Sequence, residues 1–337
     1  MVLSASFQKS AIVTLFINNR LPHYIRCLII YALIVSMIST LLTSAGATTK
    51  SSKLANSDVV ASNRGLAGQP LSAAPRPEPV PQGSTGTRDS KGTDFWLTFP
   101  ANGSGGANNQ ILVSSDQNTT GTVTVTGLAF FTTFSVSAGS ATTVNLPTGV
   151  DLGQSIDQPR NLGVHLTSQD RVSVYAVSQA PSSSDGYLGL PTELLGNEYI
   201  ILSYGNSNGG SEFGIIATND NTTVTITPSD EVGSHIAFEP FNVSLQQGQA
   251  YQLRKDDGGD LTGTIVTSDK PIAVIGGHRC AGVPDGNTPC SYLTEELPPV
   301  TNWGTSFLMQ PFAARQNGDV VRILSSQDGT GISINGV

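Results

Sequence analysis

The sequence is poor in charge and in the residue types that most often do chemistry. Asp, Glu, Lys and Arg make up only 12% of its 337 residues, and there are 4 histidines, 3 cysteines and 2 tryptophans. The low charge excludes long exposed helices and coiled coils, which need Glu and Lys, and it excludes a highly charged disordered chain. The formal charge of −8 argues against a nucleic-acid partner, because a phosphate-binding surface needs clustered Lys and Arg.

Glycine, proline and small polar residues take the place of the missing charge. The chain has 36 Gly and 19 Pro, and its 38% of hydrophobic residues is enough to bury a core. Short runs alternate Thr with Val or Ile, as in residues 122–126 and 223–227, and turn-forming Asn and Asp precede them. These features predict an exported all-β protein built from short antiparallel strands.

Catalytic motifs are scarce in this composition. The sequence has neither the HExxH helix of zinc peptidases nor the phosphate-binding GxxxxGK[ST] loop, and its histidines are scattered. The acids of the segment KDDGGD could offer oxygen ligands to calcium, but the EF-hand spacing is missing and a solvated turn is the preferred interpretation. The acids considered as calcium ligands are Asp256, Asp257 and Asp260. We therefore predict a protein that is not an enzyme, with no catalytic residue, no cofactor and no metal.

The N-terminus has the pattern of an export signal. Lys9, Arg20 and Arg26 are the only charged residues before position 48, and residues 27–47 carry no charge and end in Ala-Gly-Ala. A basic region, an apolar region and an A-x-A site indicate a secretory signal peptide, here residues 1–47. The same apolar stretch also has the length of a membrane span, so a retained N-terminal anchor stays open. Either interpretation exports the rest of the chain to the outside, as a secreted or cell-surface protein.

A linker and a repeat follow. Residues 48–90 are rich in Pro and Ser and are predicted to be a disordered linker. From Gly92 the sequence repeats, with related segments at Gly196 and Gly304 and a second pair of matches at 166–175 and 266–275. A period of about 100 residues indicates domain-sized units rather than solenoid turns. The predicted units are 91–195, 196–302 and a truncated third unit, 303–337.

Each unit is predicted to be an antiparallel β-sandwich, with a β-propeller as the alternative. Two short segments, TELL at 192–195 and TEEL at 294–297, are each expected to form a single helical turn. The third unit is too short to bury a core alone. Either the chain is a fragment, or residues 303–337 complete the second unit by adding a strand.

Two cysteines remain after the predicted signal, Cys280 and Cys290. An even number in an exported chain indicates a disulfide, with two free thiols as the alternative. His278 is the only other metal-type ligand nearby, which leaves a zinc site incomplete. The second cysteine is followed by a stiff Pro-Pro connection and by a tryptophan that is expected to pack at the junction between units. The residues of this string are Leu297, Pro298, Pro299, Trp303 and Gly304.

This Cys-loop-Cys segment with its Leu-Pro-Pro and Trp-Gly string resembles the IgGFc-binding protein N-terminal domain family. The GTDFWLTFP opening and the SDKPIAVIGGH run look like the same family, so the resemblance covers about 92–337. It implies an extracellular, non-catalytic interaction domain, and IgG Fc is implied as a ligand only by the family's name. The family's cysteine-rich repeats are not found in this sequence.

The functional hypothesis is therefore an extracellular binding or adhesion module for an unknown protein or glycan. One alternative is a structural surface spacer without a ligand. Another is a calcium-dependent carbohydrate-binding or hydrolase component. Membrane attachment, if the anchor is retained, would be through residues 27–47.

Overall fold

The computed structural model describes residues 2–3, 89–103, 105–312 and 319–334. The predicted export segment and linker therefore lie outside the described residues, except for residues 2–3 and 89–90. Within the described ranges no helix has the length and apolarity needed to cross a bilayer. The helical elements found there are three 3-10 turns, Thr126–Leu128, Thr192–Leu194 and Val300–Asn302.

Strands make up the regular structure of the described chain. In chain order they are β1 (Val2–Leu3), β2 (Gly92–Leu97), β3 (Asn108–Ser115), β4 (Thr119–Val125), β5 (Phe130–Val136), β6 (Ser140–Asn145), β7 (Val164–Ala180), β8 (Ser183–Leu188), β9 (Gly196–Ile200), β10 (Ser211–Ala217), β11 (Thr222–Thr227), β12 (Phe241–Leu245), β13 (Ala250–Lys255), β14 (Ile265–Ala281), β15 (Ser291–Glu296) and β16 (Ile323–Leu324).

One long strand organises the first seven-stranded sheet. The first half of β7 pairs with β2 and β4, and its second half pairs with β3 and β8. Because β7 passes from one group of strands to the other, the sheet folds into two layers around a shared core. Leu166 lies between Phe95 and Val123 in one layer, and Ala176 lies between Ile111 and Tyr187 in the other, all of them buried.

The second seven-stranded sheet repeats this plan strand by strand. Its long strand β14 pairs with β9 and β11 in its first half and with β10 and β15 in its second half. Val266 lies between Tyr199 and Ile226, the counterpart of Leu166 between its neighbours. The prediction of tandem antiparallel β-sandwich-like units is thus confirmed.

The Thr-rich alternation explains why these segments become strands. Val123 and Val125 of β4 are fully buried, while the alternating Thr122 and Thr124 are half-buried. Successive side chains of a strand point to opposite faces, so the apolar set fills the core and the threonines face outward. The hydroxyls of Thr122 and Thr167 then meet across the sheet at 2.9 Å.

The prediction for the two acidic segments is half right. TELL forms the expected turn at Thr192–Leu194, but TEEL lies in strand β15, where Thr294 is opposite Gly277 of β14. The pairing of β15 along the long strand overrides the helix propensity of the two glutamates. Beyond this strand, the described part of residues 303–334 adds no strand to the second sheet, and β16 pairs only with β1.

The two sheets share a third buried cluster. On the first unit it consists of Trp96, Leu152 and Leu162, and on the second of Ile216, Ala250 and Ala273. Close contact is possible here because Gly163 has no side chain: a Cβ at that position would lie 2.2 Å from the Cδ1 of Ile216. The units therefore pack directly on each other.

Candidate functional site

The Leu-Pro-Pro and Trp-Gly string forms a connector that occurs twice in the fold. Leu297 is buried in the second core, and its amide donates to the carbonyl of Val274 at 2.8 Å. Pro299 packs on Gly196, where a Cβ would lie 2.6 Å from the proline Cβ. In the first unit, Pro191 packs on Gly92 in the same way: a Cβ at position 92 would lie 2.2 Å from the Cβ of Pro191. Each connector proline therefore closes its unit against that unit's first glycine.

The end of the connector is held to the first unit's connector. The indole nitrogen of Trp303 donates to the carbonyl of Pro298 at 3.0 Å, and Asn302 Nδ2 donates to the carbonyl of Leu194 at 2.9 Å. Trp303 is half-buried, and the following Gly304 is exposed. These two hydrogen bonds hold the end of the connector beside the first unit's connector.

A disulfide joins Cys280, at the end of β14, to Cys290, just before β15. It closes a loop whose tip, residues 284–289, is exposed throughout. Because β14 and β15 are paired neighbours, the bond fixes both ends of the loop on the rigid edge of the second sheet. A closed, exposed loop on a rigid scaffold is a common arrangement for recognition.

A second loop supports the disulfide loop from the side. Asp285 Oδ1 accepts from Asn206 Nδ2 at 2.8 Å, from Ser207 Oγ at 2.9 Å and from the Ser207 amide at 3.1 Å. The hydrogen bonds from the amide and the hydroxyl of Ser207 hold the pKa of the Asp285 carboxyl below its usual range. Asn206 also donates to the carbonyl of Gly282 at 3.0 Å. The two loops therefore form one surface.

Sequence reasoning missed a pattern in that second loop. Residues 205–209 read Gly-Asn-Ser-Asn-Gly, which fits the GxSxG string of serine hydrolases. That motif needs a strand-turn-helix context, whereas this loop leads into strand β10. Ser207 Oγ donates to Asp285 rather than to a histidine, so the serine has no adjacent general base of the hydrolase type among the described residues.

The acids of the KDDGGD segment each face a base. Asp256 contacts Arg254 at 2.9 Å and Arg279 at 3.2 Å, Asp257 contacts Lys255 at 2.9 Å, and Asp260 contacts Arg322 at 2.7 Å. Each carboxylate is therefore neutralised by a base within salt-bridge distance. In the described part of the chain, no group of three or more His, Cys, Asp or Glu residues could hold a metal ion.

Sequence reasoning also missed two acids with raised pKa values, Glu212 on β10 and the half-buried Asp185 on β8. Glu212 is fully buried, neither of its carboxyl oxygens has a hydrogen-bond partner among the described residues, and burial raises its pKa well above the usual range. Burial also raises the pKa of Asp185 to about 7, although the amides of Gly186 and Thr294 donate to its carboxylate. A single acid in the apolar run SEFGIIA was the available signal for Glu212.

His278 lies next to the disulfide but is fully buried. Its Nδ1 accepts from the Cys280 amide at 3.0 Å, which places the proton of the neutral ring on Nε2. Burial lowers the pKa of His278 to about 4, so the ring is neutral at physiological pH. Its role here is to hold the backbone at Cys280.

Replacing Cys280 and Cys290 by Ser together should lower the free energy of unfolding by about 2–3 kcal/mol, the loop-closure value for so short a loop. Urea denaturation of the full chain measures the change. Ser137→Ala, in the exposed β5–β6 turn, is the matched control and should change little. A double variant as stable as the wild type would contradict the expected contribution of the bond.

The region that contains the disulfide loop and the connector is similar to known proteins. Residues 185–337 match the family model described as IgGFc binding protein, a match that begins in β8. A Homo sapiens protein named IgGFc-binding protein is 28% identical over 227 residues, which cover 65% of this chain and 4% of that protein. The chain therefore spans a small part of the relative's length. The resemblance predicted from the cysteine and Trp-Gly string is confirmed, because the matched residues 185–337 include both the disulfide loop and that string.

Proposed function

We propose that this chain is an extracellular, non-catalytic binding module whose ligand surface includes the disulfide loop of the second unit. The observation that carries the proposal is the exposed tip at 284–289, tied at both ends by the disulfide and from the side by Asn206 and Ser207. Such preorganisation reduces the entropy lost when a ligand binds. The pairing of Ser207 with a carboxylate rather than with a histidine supports a binding role over hydrolysis.

The ligand is a protein or a glycan. The name of the human relative makes immunoglobulin Fc one candidate, and the relative's much greater length means that its partners are not carried over directly. The individual pairing of the KDDGGD acids with bases weighs against a calcium-dependent lectin. Export through the signal or anchor at 1–47, with 48–90 as a spacer, would present the module outside the cell.

The proposed unit boundaries are 91–195 and 196–302, with 303–337 as the start of a third unit. The exposure of its opening segment supports this division. Phe307, Leu308 and Met309 are 38%, 84% and 38% exposed. Their counterparts in the first unit are Phe95, Trp96 and Leu97, which are 0%, 7% and 0% exposed. These three side chains are not part of the buried core of the second unit, which supports a unit boundary near residue 303.

The test is a binding measurement on the purified full-length chain. The chain is immobilised and offered immunoglobulin Fc, mucin-type glycoproteins and a glycan array, with and without calcium. Thr288→Arg places a long charged side chain on the exposed loop tip and should weaken the retained ligand about tenfold or more. Thr120→Arg, on an exposed position of β4, is the matched control and should bind as the wild type does.

Two results would overturn this proposal. Retention of no ligand from any of the three classes would favour a spacer. A ligand retained equally by the wild type and by Thr288→Arg would move the binding surface away from the disulfide loop. Loss of binding in chelator would instead support the calcium-dependent alternative.

A further inference from the structure

One connection of the second unit is longer than the fold requires. In the first unit, β4 and β5 are joined by residues 126–129. The equivalent strands of the second unit, β11 and β12, are joined by residues 228–240. Hairpin connections usually need only a few residues, so the β11–β12 loop carries additional chain, of which Val232 is buried in the core of the second unit.

The β11–β12 loop is rigidly held. Val232 and His235 exchange two backbone hydrogen bonds of 3.0 Å, and the Phe238 amide donates to the carbonyl of Pro228 at 2.7 Å. The imidazole of His235 stacks on Phe241, with ring centroids 3.6 Å apart, and its Nε2 lies 2.9 Å from Asp157 of the first unit. The loop is thus fixed to its own hairpin and to the neighbouring unit.

This rigid loop presents two large apolar side chains to solvent. Ile236 is 57% exposed and Phe238 is 55% exposed. Phe238 also has a φ of +66°, a left-handed conformation that a bulky side chain rarely adopts. Such a conformation costs free energy and is maintained only where surrounding contacts impose it, and it occurs most often at functional sites.

The charge around the two apolar side chains is negative. Glu231 and Glu239 are exposed on either side of them, and Asp230 is half-buried nearby in the sequence. Lys255 reaches the loop, but its ammonium already contacts Asp257 at 2.9 Å and Asp230 at 3.7 Å. A partner that fits an apolar centre with an acidic border has Lys or Arg residues around an apolar pocket.

We propose that Ile236 and Phe238 are the anchors of a second interaction surface, which binds a basic protein surface with an apolar pocket. This surface involves a different loop from the disulfide loop, so the proposal goes beyond the function proposed above. A membrane with anionic headgroups is disfavoured, because Glu231 and Glu239 would be repelled from it.

The experiment titrates the full-length chain into a fluorescent cationic peptide of alternating Leu and Lys residues and follows fluorescence anisotropy. Phe238→Asn removes the ring and keeps the positive φ, which Asn tolerates, so the loop should retain its fold. It should weaken peptide binding about tenfold or more, as expected for an anchor residue. The Glu231→Gln/Glu239→Gln double variant should reduce the decline of affinity with added NaCl.

Two control variants test whether the peptide binds at the β11–β12 loop itself. Phe131→Ser removes another exposed phenylalanine, on β5 and 65% exposed, and should leave peptide affinity unchanged. Thr288→Arg should also leave it unchanged, so a failure here and a failure of the disulfide-loop proposal can be told apart. Circular dichroism of each variant reports whether the fold is retained.

Several results would overturn the inference. One is a wild-type chain that does not bind the Leu-Lys peptide, or that binds a Leu-Glu peptide equally well. Another is an equal loss of affinity in Phe238→Asn and Phe131→Ser. Binding to phosphatidylglycerol vesicles that depends on Phe238 would replace the protein partner with a membrane.

Discussion

Replacing Arg254 by Met should lower the free energy of unfolding by about 3 kcal/mol, because a buried base is lost together with its network of charge-assisted hydrogen bonds. The Arg254 side chain is only 2% exposed, and it donates to Asp256 at 2.9 Å, to the carbonyl of Gly153 at 3.1 Å and to Gln154 Oε1 at 2.9 Å. It is also opposite Glu212 in the β10–β13 ladder. Met keeps the volume, but Asp256, the carbonyl of Gly153 and Gln154 lose their hydrogen bonds from the guanidinium.

Urea denaturation of the full chain is the measurement. Lys270→Met is the matched control, since Lys270 is an exposed base that donates to the carbonyls of Asp220 and Asn221. It should change the free energy by less than about 1 kcal/mol. The Arg254→Met/Glu212→Met double variant should recover part of the loss, because the buried acid leaves with the base. An Arg254→Met protein as stable as the control would contradict the importance of this network.

Asp185→Asn should change how stability depends on pH. The folded-state pKa of Asp185 is about 7, above the ordinary value of 3.8, because burial disfavours the ionised form. Its contribution to stability is fully present below about pH 4 and is lost as the pH rises to about 7. Asn has no proton to lose, and at pH 8 the variant should gain up to about 4 kcal/mol relative to the wild type, from about three pH units at about 1.4 kcal/mol each.

The measurement is urea denaturation at several pH values between 4 and 8. His278 acts in the opposite direction, since its pKa of about 4 lies below the ordinary value of 6.5 and its contribution is lost as the pH falls through that range. The difference between Asp185→Asn and wild type isolates Asp185, because His278 is common to both. Asp328→Asn, at an exposed position, should follow the wild-type curve. A parallel course for all three proteins would contradict the buried titration.

The architecture was predictable from sequence because its signals are local and repeated. Alternation around Val123 and Ile226 set the strand faces, and the matching runs at 166–175 and 266–275 are the first halves and centres of the two long strands. TEEL was misread because isolated propensity favours a turn, while the pairing of Thr294 with Gly277 is set by distant residues. The arrangement of the two layers depends on one long strand that pairs with strands of both. The alternation of apolar and polar residues does not predict which strands it pairs with.

The site was less predictable than the fold. Cysteine number alone indicated the pairing of Cys280 with Cys290, but the support from Ser207 to Asp285 spans residues 78 positions apart. Glu212 is fully buried, and a single acid in an apolar strand reveals nothing in the sequence about what covers it. Contacts between distant loops have no periodic signature in a single sequence, so these residues emerged only from the three-dimensional arrangement.

The long strands also determine the point during synthesis at which each unit can fold. Phe95 of β2 is paired with Leu166 of β7, and Tyr199 of β9 is paired with Val266 of β14. Each unit therefore emerges from the ribosome with its apolar first strand uncovered until the long strand has been made. Such non-local pairing gives a high contact order and slow folding, and it exposes aggregation-prone strands meanwhile. Nascent chains of this protein should accordingly depend on chaperones, one unit at a time.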